Sequence, residues 1–210
     1  MKKRLKAILV YSLFWIAFFI AARLLFIITK FREAVEFSPA QLFSTFRHGM
    51  KLDLSATAYI LVIPVLLMIP GIFLEGRWFR RFMRYYTIII TGISSLIVVS
   101  DTLLYKYWGF RMDHTPLLYL RTPGAAMASV STFQIIAVAA GIILLALLFI
   151  FLYYRFVERY FEISGKIRFR FPALLFFVIC WGSLLIPIRG GVGIAPINAG
   201  TVYFSKDMFL

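Results

Sequence analysis

Five long runs of mostly apolar residues constrain this chain more than any other feature of its sequence. A helix needs about 20 such residues to cross the hydrocarbon core of a bilayer. Lipid offers no hydrogen-bond partners, so each run must satisfy its own backbone groups by forming a helix. The sequence therefore predicts an all-α protein, a polytopic membrane bundle of five transmembrane helices. The runs cover residues 7–29, 54–74, 85–105, 131–154 and 171–188.

The composition fits a lipid-facing chain rather than a water-soluble globule. Of the 210 residues, 62% are hydrophobic and 15% are charged, whereas about a quarter of a soluble domain is charged. The net charge of +14 does not indicate nucleic-acid binding, because the basic residues fall in short clusters and form no contiguous basic face. The single cysteine, Cys180, lies inside an apolar run and is interpreted as a small buried hydrophobe.

The N-terminus resembles a secretory signal, with a basic start, an apolar stretch and the small residues Ala21 and Ala22. However, the apolar pattern resumes after Arg23, and four further runs follow it. We interpret this segment as an uncleaved signal anchor that forms the first helix.

Basic residues are dense in three segments that would lie on one side of the membrane, namely residues 1–6, 75–84 and 155–170. Loops rich in Lys and Arg stay in the cytoplasm. With five helices, the N-terminus is therefore predicted to be cytoplasmic and the C-terminus extracytoplasmic, in a bacterial inner membrane. The predicted transmembrane domain covers residues 1–188, and residues 189–210 form an extracytoplasmic tail.

Two predicted outer loops, residues 30–53 and 106–130, are longer than a helical bundle needs. In the second loop, Thr122 and Pro123 form a helix-start signal, with Thr as the cap and Pro at the first helical position. This signal predicts a short interfacial helix at the outer surface before the fourth span.

Two charged residues lie inside predicted spans. Arg23 and Asp101 are each a few residues from the outer end of their helix, and so at similar depth. A lone charge at this depth costs several kcal/mol, so a partner is expected. The sequence predicts an intramembrane ion pair between Arg23 and Asp101; a polar cavity that opens outward is the alternative.

The sequence contains no motif that indicates catalysis. His48 and His114 are far apart and flank no cysteine pair, so no metal site is predicted. The glycines at 190, 191 and 193 precede no helix start, which makes them a weak phosphate-binding signal. We therefore predict no catalytic residue, metal or cofactor in this chain.

Three clusters near the predicted outer surface combine basic and apolar side chains. Basic groups beside aromatic residues at a membrane interface suit an anionic lipid head group, and arginine can hold a phosphate with two parallel hydrogen bonds. The nearby Asp53 and Asp113 either orient these bases or neutralise them. The predicted head-group residues are Lys51, Trp108, Arg111 and Arg189.

At these clusters the chain resembles the membrane half of the lipoteichoic-acid-synthase-like family, which are sulfatase-type phosphoglycerol or phosphoethanolamine transferases. The resemblance extends over the whole chain in span number and topology. It rests on GMKLDLSA at 49–56, WGFRMD at 108–113, TPL at 115–117, RGGVG at 189–193 and PINAGTVYFS at 196–205.

The resemblance implies a partner domain. In that family, five helices precede a linker and an extracytoplasmic catalytic domain, which holds a divalent metal and a threonine or serine nucleophile and moves a head group from a phospholipid. The sequence ends at Leu210, where the linker would begin, and no metal ligands surround Thr201 or Ser205. The chain is therefore expected to be a membrane-anchoring, lipid-presenting domain that is inactive on its own.

Two other functions remain open at this stage. One is a stand-alone small transporter or channel subunit, which usually has polar groups at mid-membrane and broken helices or repeats. The other is a purely structural anchor, in which removal of the outer charges would leave the activity of a full-length enzyme intact.

The charge pattern predicts the topology directly. Reporter fusions should report, in order, outside, inside, outside, inside and outside, because the basic segments stay in the cytoplasm. A cytoplasmic signal from the last fusion would contradict both the topology and the family resemblance. The fusions are placed after Phe31, Arg84, Thr115, Gly165 and Ser205.

Overall fold

The computed structural model describes residues 1–73, 78–109, 112, 131–162, 170–193 and 196–197, and every regular element in these ranges is helical. Five helical stretches are long and apolar enough to cross a membrane, which confirms the predicted all-α, five-span architecture. The predicted interfacial helix at Thr122 lies outside the described residues. The helices are α1 (Lys2–Thr29), α2 (Phe31–Ala34), α3 (Pro39–Met68), α4 (Trp78–Trp108), α5 (Thr132–Leu152), α6 (Arg170–Ser183) and α7 (Leu185–Arg189).

Helix α3 begins well before residue 54, so the prediction of a loop over residues 30–53 was wrong. A capping box starts the helix: the Ser38 hydroxyl accepts from the Gln41 backbone N–H at 3.3 Å, and the Gln41 side chain accepts from the Ser38 N–H at 2.8 Å. Pro39 occupies the first helical position. As a result, Lys51 and Asp53 lie on a helix rather than in a loop.

The fourth span starts where the sequence predicts, because Ser131 and Gln134 form a second capping box. Its far end is not a simple α-helix. After α5 the chain continues through a π-helical turn (Tyr153–Val157) and a 3₁₀ turn (Glu158–Phe161). The span therefore extends to Phe161.

Helix α1 lies in the centre of the bundle and carries an aromatic core. Tyr11, Trp15 and Phe18 are fully buried. The Phe18 ring meets Phe149 of α5 edge to face at 4.7 Å between centroids, and Tyr11 meets Phe161 in the same way at 5.4 Å. Because lipid provides little hydrophobic drive for helices to associate, such close packing contributes much of the stability of the bundle.

Helix α4 packs through small hydroxyl-bearing residues at every fourth position, Thr87, Thr91 and Ser95, all fully buried. Small side chains let helix backbones approach closely in a membrane. The Thr87 hydroxyl donates to the Met83 carbonyl at 2.7 Å, so in its 3.0 Å hydrogen bond with Tyr11 of α1 the tyrosine is the donor. This bond links α1 to α4.

The fifth span is interrupted between α6 and α7. Pro187 has no N–H to donate to the carbonyl of Ser183, where α6 ends. Helix α7 then stops at Gly190, which has φ +84°. The N–H groups of Gly190 and Gly191 bond the carbonyls of Pro187 and Ile186 at 3.0 and 2.9 Å, the pattern of a Schellman motif.

The basic end of the bundle, defined here as the end where α1 begins, is held by arginines. Arg4 donates to the carbonyls of Met68 and Gly71 at 3.2 and 2.5 Å. Arg84 pairs with Glu158 at 2.5 Å, and Arg80 pairs with Glu162. Lys6 of α1 lies 5.2 Å from the centre of the Tyr160 ring, so the three basic segments of the sequence meet at one end of the bundle. We call the opposite end, where α1 and α4 finish, the loop end.

Replacing Arg4 should destabilise the bundle. Arg4 is 5% exposed, and an Arg4→Ala substitution leaves two carbonyls at the end of α3 without their charged donor. We expect a loss of about 2 kcal/mol. The neighbouring Lys3, which is exposed, is the matched control: Lys3→Ala should leave the thermal unfolding midpoint of the detergent-purified protein nearly unchanged. Equal midpoints for the two variants would contradict this role of Arg4.

Candidate functional site

Arg23 forms a two-pronged ion pair with Asp53. Its Nη1 donates to Oδ2 at 3.0 Å and its Nη2 to Oδ1 at 2.9 Å. The Arg23 and Asp53 side chains are 17% and 7% exposed, so the pair is largely shielded from water and lipid. Fork-to-fork geometry is the strongest arrangement of an arginine with a carboxylate. The pair therefore fastens α1 to α3 near the loop end.

One face of helix α3 forms the binding site of the Arg23 guanidinium. Phe46, Gly49 and Asp53 share one helix face because they are three and seven residues apart. The Phe46 ring lies 5.5 Å from the Arg23 Cζ, a cation–π distance. A Cβ on Gly49 would lie 2.1 Å from Nη2 of Arg23. The glycine therefore gives the guanidinium the space that it occupies.

The predicted Arg23–Asp101 pair was wrong, because Asp53 is the carboxylate that holds Arg23. Equal depth places two charges at the same level, but the rotation of each helix decides which of them meet. Helix α1 packs along α3 and meets α4 over a shorter stretch. Asp101 is 6% exposed and accepts from the Met112 backbone N–H at 2.6 Å. It thus holds backbone that follows α4 against the helix.

Asp53 does not support Lys51, as one interpretation of the sequence proposed. Residues two apart are separated by about 200° around a helix, so the two side chains leave α3 in different directions. Both carboxylate oxygens of Asp53 bind Arg23. The Lys51 side chain is exposed instead.

Lys51 and Arg189 are brought to the same place by a contact between α3 and α7. The Ser55 hydroxyl donates to the Ile188 carbonyl at 2.9 Å. Lys51 lies one turn from Ser55 on the same helix face, and Arg189 follows Ile188 directly. Both basic residues are exposed. Two of the predicted head-group residues therefore share one surface, which we call the Lys51–Arg189 surface.

Trp108 ends α4 and is half-buried. Helix α4 packs mainly on α5, whereas α7 packs mainly on α3. Arg111 and Asp113 lie outside the described residues. The third predicted cluster is therefore located through Trp108 alone.

The sequence analysis missed two lysines at the loop end. Lys30 follows α1, and its Nζ lies 5.0 Å from the centre of the Tyr105 ring. Lys106 is exposed in the last turn of α4. Each lysine lies at the end of an apolar run, where the sequence alone indicates only that a membrane span ends there. The two lysines line the same groove because of how α1 packs on α4, and the sequence gives no direct signal for that packing.

Within the described ranges, no group of three or more His, Cys, Asp and Glu side chains is placed to hold a metal ion. His48 is occupied locally: its Nδ1 lies 2.9 Å from the Ser44 carbonyl on the same helix. The described side chains at the loop end offer positive charge beside apolar and aromatic surface.

Comparison with known proteins gives no match: no family model, no curated protein and no solved structure matches this chain. Function is therefore inferred from the residues and from the geometry of the loop end.

The position of the Arg23 guanidinium requires that residue 49 have no side chain, and this requirement can be tested. Gly49→Ala should displace the guanidinium from Asp53 and destabilise the bundle by about 1–3 kcal/mol, because a buried charge loses its partner. The matched control is Gly92→Ala, since a Cβ at Gly92 meets nothing within 4 Å. That substitution should be neutral or slightly stabilising in a helix.

A double-mutant cycle separates this effect from general crowding. In an Arg23→Ala background the guanidinium is gone, so Gly49→Ala should cost little more. The measurement is thermal unfolding of the four variants in one detergent. If Gly49→Ala costs the same with and without Arg23, the glycine does not serve the ion pair.

Proposed function

We propose that this chain is a membrane domain that holds the head group of an anionic phospholipid at the Lys51–Arg189 surface and presents it to an extracytoplasmic transferase domain. The observation that carries the proposal is the Ser55–Ile188 hydrogen bond, which joins the middle of α3 to the end of α7, each with an exposed basic residue nearby. A phosphate attracts both charges at once, and arginine can donate to it in two parallel bonds.

The electrostatics of the loop end favour an anion there. Asp53 is turned into the bundle and bound to Arg23, and Asp101 is buried and bound to the Met112 N–H. Both carboxylates are thereby withdrawn from the surface on which Lys51 and Arg189 are exposed. Basic groups near an anionic membrane surface each contribute about 1 kcal/mol to lipid attraction.

The ion pair also makes the surface rigid. Arg23 fixes α3 two residues from Lys51, and Ser55 fixes α7 on the following turn. Side chains that project from anchored helices hold a ligand with less loss of conformational freedom than side chains on loose loops. An extended, capped α3 therefore supports a binding surface rather than a passive connection.

The remaining parts of the proposal come from the sequence. The basic segments favour a cytoplasmic N-terminus and a loop end that faces outside. The motifs at 49–56, 108–113 and 189–205 favour a lipoteichoic-acid-synthase-like transferase, in which the divalent metal and nucleophile belong to the catalytic domain. A sulfatase-type domain encoded downstream of residue 210 would support this assignment, and a transmembrane or unrelated domain there would contradict it.

One feature favours the transporter alternative. The hydroxyls of Thr57, Thr91 and Ser95 are buried and lack hydrogen-bond partners in the described part of the chain. Such groups are satisfied by water where a polar path crosses a membrane. The aromatic core around Trp15 and Phe18 fills the neighbouring interior, which favours a closed bundle. Ion flux in proteoliposomes would overturn the lipid-presenting function.

Charge removal tests the Lys51–Arg189 surface. Lys51→Ala and Arg189→Ala should each weaken binding of dihexanoyl-phosphatidylglycerol to the purified chain by about fivefold, the equivalent of 1 kcal/mol per basic group. Arg189→Lys should also weaken binding, because lysine lacks the two-pronged geometry. Retention of the lipid is measured by native mass spectrometry. Short acyl chains are chosen so that the signal comes mainly from the head group.

The matched control is Arg81→Ala, which removes an exposed arginine at the basic end and should leave binding unchanged. Unchanged binding in Lys51→Ala, Arg189→Ala and their combination would show that this surface is a plain membrane anchor. Turnover of a phospholipid head group by the 210-residue chain alone would also contradict the proposal, since the transferase chemistry is assigned to a separate domain.

A further inference from the structure

A groove of about 510 Å³ lies between α1, α4 and α5 near the loop end. Leu25 of α1, Leu103 of α4 and Leu145 of α5 contribute apolar walls. Leu144 and Leu148, which also line it, are 67% and 52% exposed, so the groove faces the lipid side of the bundle. It is on different helices from the Lys51–Arg189 surface.

The length of the groove matches one leaflet of a bilayer. On α5 its lining runs from Ala137 to Leu148, which corresponds to about 16 Å along a helix. Half of a hydrocarbon core of about 30 Å is nearly the same distance. A chain lying in the groove would therefore extend from the head-group level to about the middle of the membrane.

The floor of the groove is formed at a glycine, which has no side chain to fill the space. Gly141 of α5 faces Val99 of α4, and a Cβ on the glycine would lie 3.2 Å from a methyl group of that valine. The two helices are therefore close together at this level, with open space above the glycine. The hydroxyls of Thr29 and Thr102 donate to carbonyls of their own helices at 2.8 and 2.7 Å. Because both hydroxyls already donate within their own helices, a molecule in the groove does not need to accept hydrogen bonds from them.

Two basic side chains lie at the mouth of the groove. Lys30 and Lys106 line it at the loop end, and no described lining residue is acidic. Lys30 is positioned by the Tyr105 ring, and that ring packs edge to face on Phe26 at 5.1 Å between centroids. Apolar walls of one leaflet's length below two basic side chains are complementary to a molecule with an anionic head and a hydrocarbon tail.

We propose that this groove binds one molecule of an anionic phospholipid, with an acyl chain against α4 and α5 and the phosphate beside Lys30 and Lys106. An apolar helix from another protein would fit the walls, but it would gain nothing from the two lysines. A zwitterionic lipid would fit the walls equally well and gain less at the mouth. The site is independent of the Lys51–Arg189 surface and does not require the proposed transferase role.

Site-resolved crosslinking tests the proposal. The purified chain is reconstituted with a phosphatidylglycerol that carries a diazirine near the end of one acyl chain, irradiated, and mapped by peptide mass spectrometry. We expect labelling concentrated between Val138 and Leu148. Ala137→Trp should fill the groove and lower this labelling at least fivefold. The matched control is Ala139→Trp, which places the same indole on an exposed position of α5 that does not line the groove.

The lysines are tested separately through lipid preference. Unlabelled phosphatidylglycerol should compete with the probe better than phosphatidylcholine does, and Lys30→Gln with Lys106→Gln should reduce that preference by about fivefold per lysine. As the matched control, Lys3→Gln with Arg81→Gln, which removes two exposed basic residues at the basic end, should leave both labelling and preference unchanged. A preference that survives the loss of Lys30 and Lys106 would overturn the assignment of the phosphate.

Two results would overturn the site itself. Labelling spread evenly over the exposed face of α5, and equal in the Ala137→Trp and Ala139→Trp variants, would show contact with bulk lipid only. In a Cys180→Ser background, efficient disulfide crosslinking of two copies through Ala137→Cys would show that the groove is an interface between protein chains. Circular dichroism and gel filtration of every variant show whether it has folded.

Discussion

A partly buried arginine at membrane depth is the constraint on which the loop end of this protein depends. The charge of Arg23 would cost several kcal/mol in lipid without a partner, and the protein neutralises it with both oxygens of Asp53. That contact requires α3 to remain helical past the apolar run, because Phe46, Gly49 and Asp53 face the guanidinium together only on a helix. The same helical register then places Ser55 against α7. The position of Lys51 thus follows from the need to bury one charge.

The span architecture could be predicted because it depends on length and hydropathy, which are properties of each segment alone. The start of α5 could be predicted within a residue, since Ser131 marks it. The start of α3 was missed although Ser38 and Gln41 form the same motif. Polar and charged residues after Ser38 have the composition of a loop, and the tertiary contact that makes the helix necessary, between Arg23 and Asp53, is not local.

Side-chain partners were harder to predict than helices. A hydropathy profile gives the depth of a residue but not its angle around the helix axis. The second apolar run begins at residue 54, which left Asp53 in a predicted loop, so Asp53 was not considered as the partner of Arg23. The groove could not be predicted for the same reason. Lys30 and Lys106 end two different apolar runs and Gly141 lies in a third, so only the packing of the helices shows that they line one groove. Lys51 and Arg189 were predicted to share a surface because each precedes or follows a span at the same interface, and the Ser55–Ile188 hydrogen bond joins the helices that carry them.

The length of the fourth span, together with the irregular turns at its end, has a mechanical consequence. Thr132–Phe161 contains 30 residues and is roughly 45 Å long at the rise of an α-helix, which exceeds a hydrocarbon core of about 30 Å. A span that is too long for its bilayer tilts, bends or projects beyond it. The π-helical turn at Tyr153–Val157 and the neighbouring 3₁₀ turn occur where this excess would be absorbed. Bilayer thickness would then set the inclination of α5 against α4, and a thinner membrane would alter the width of the space between them.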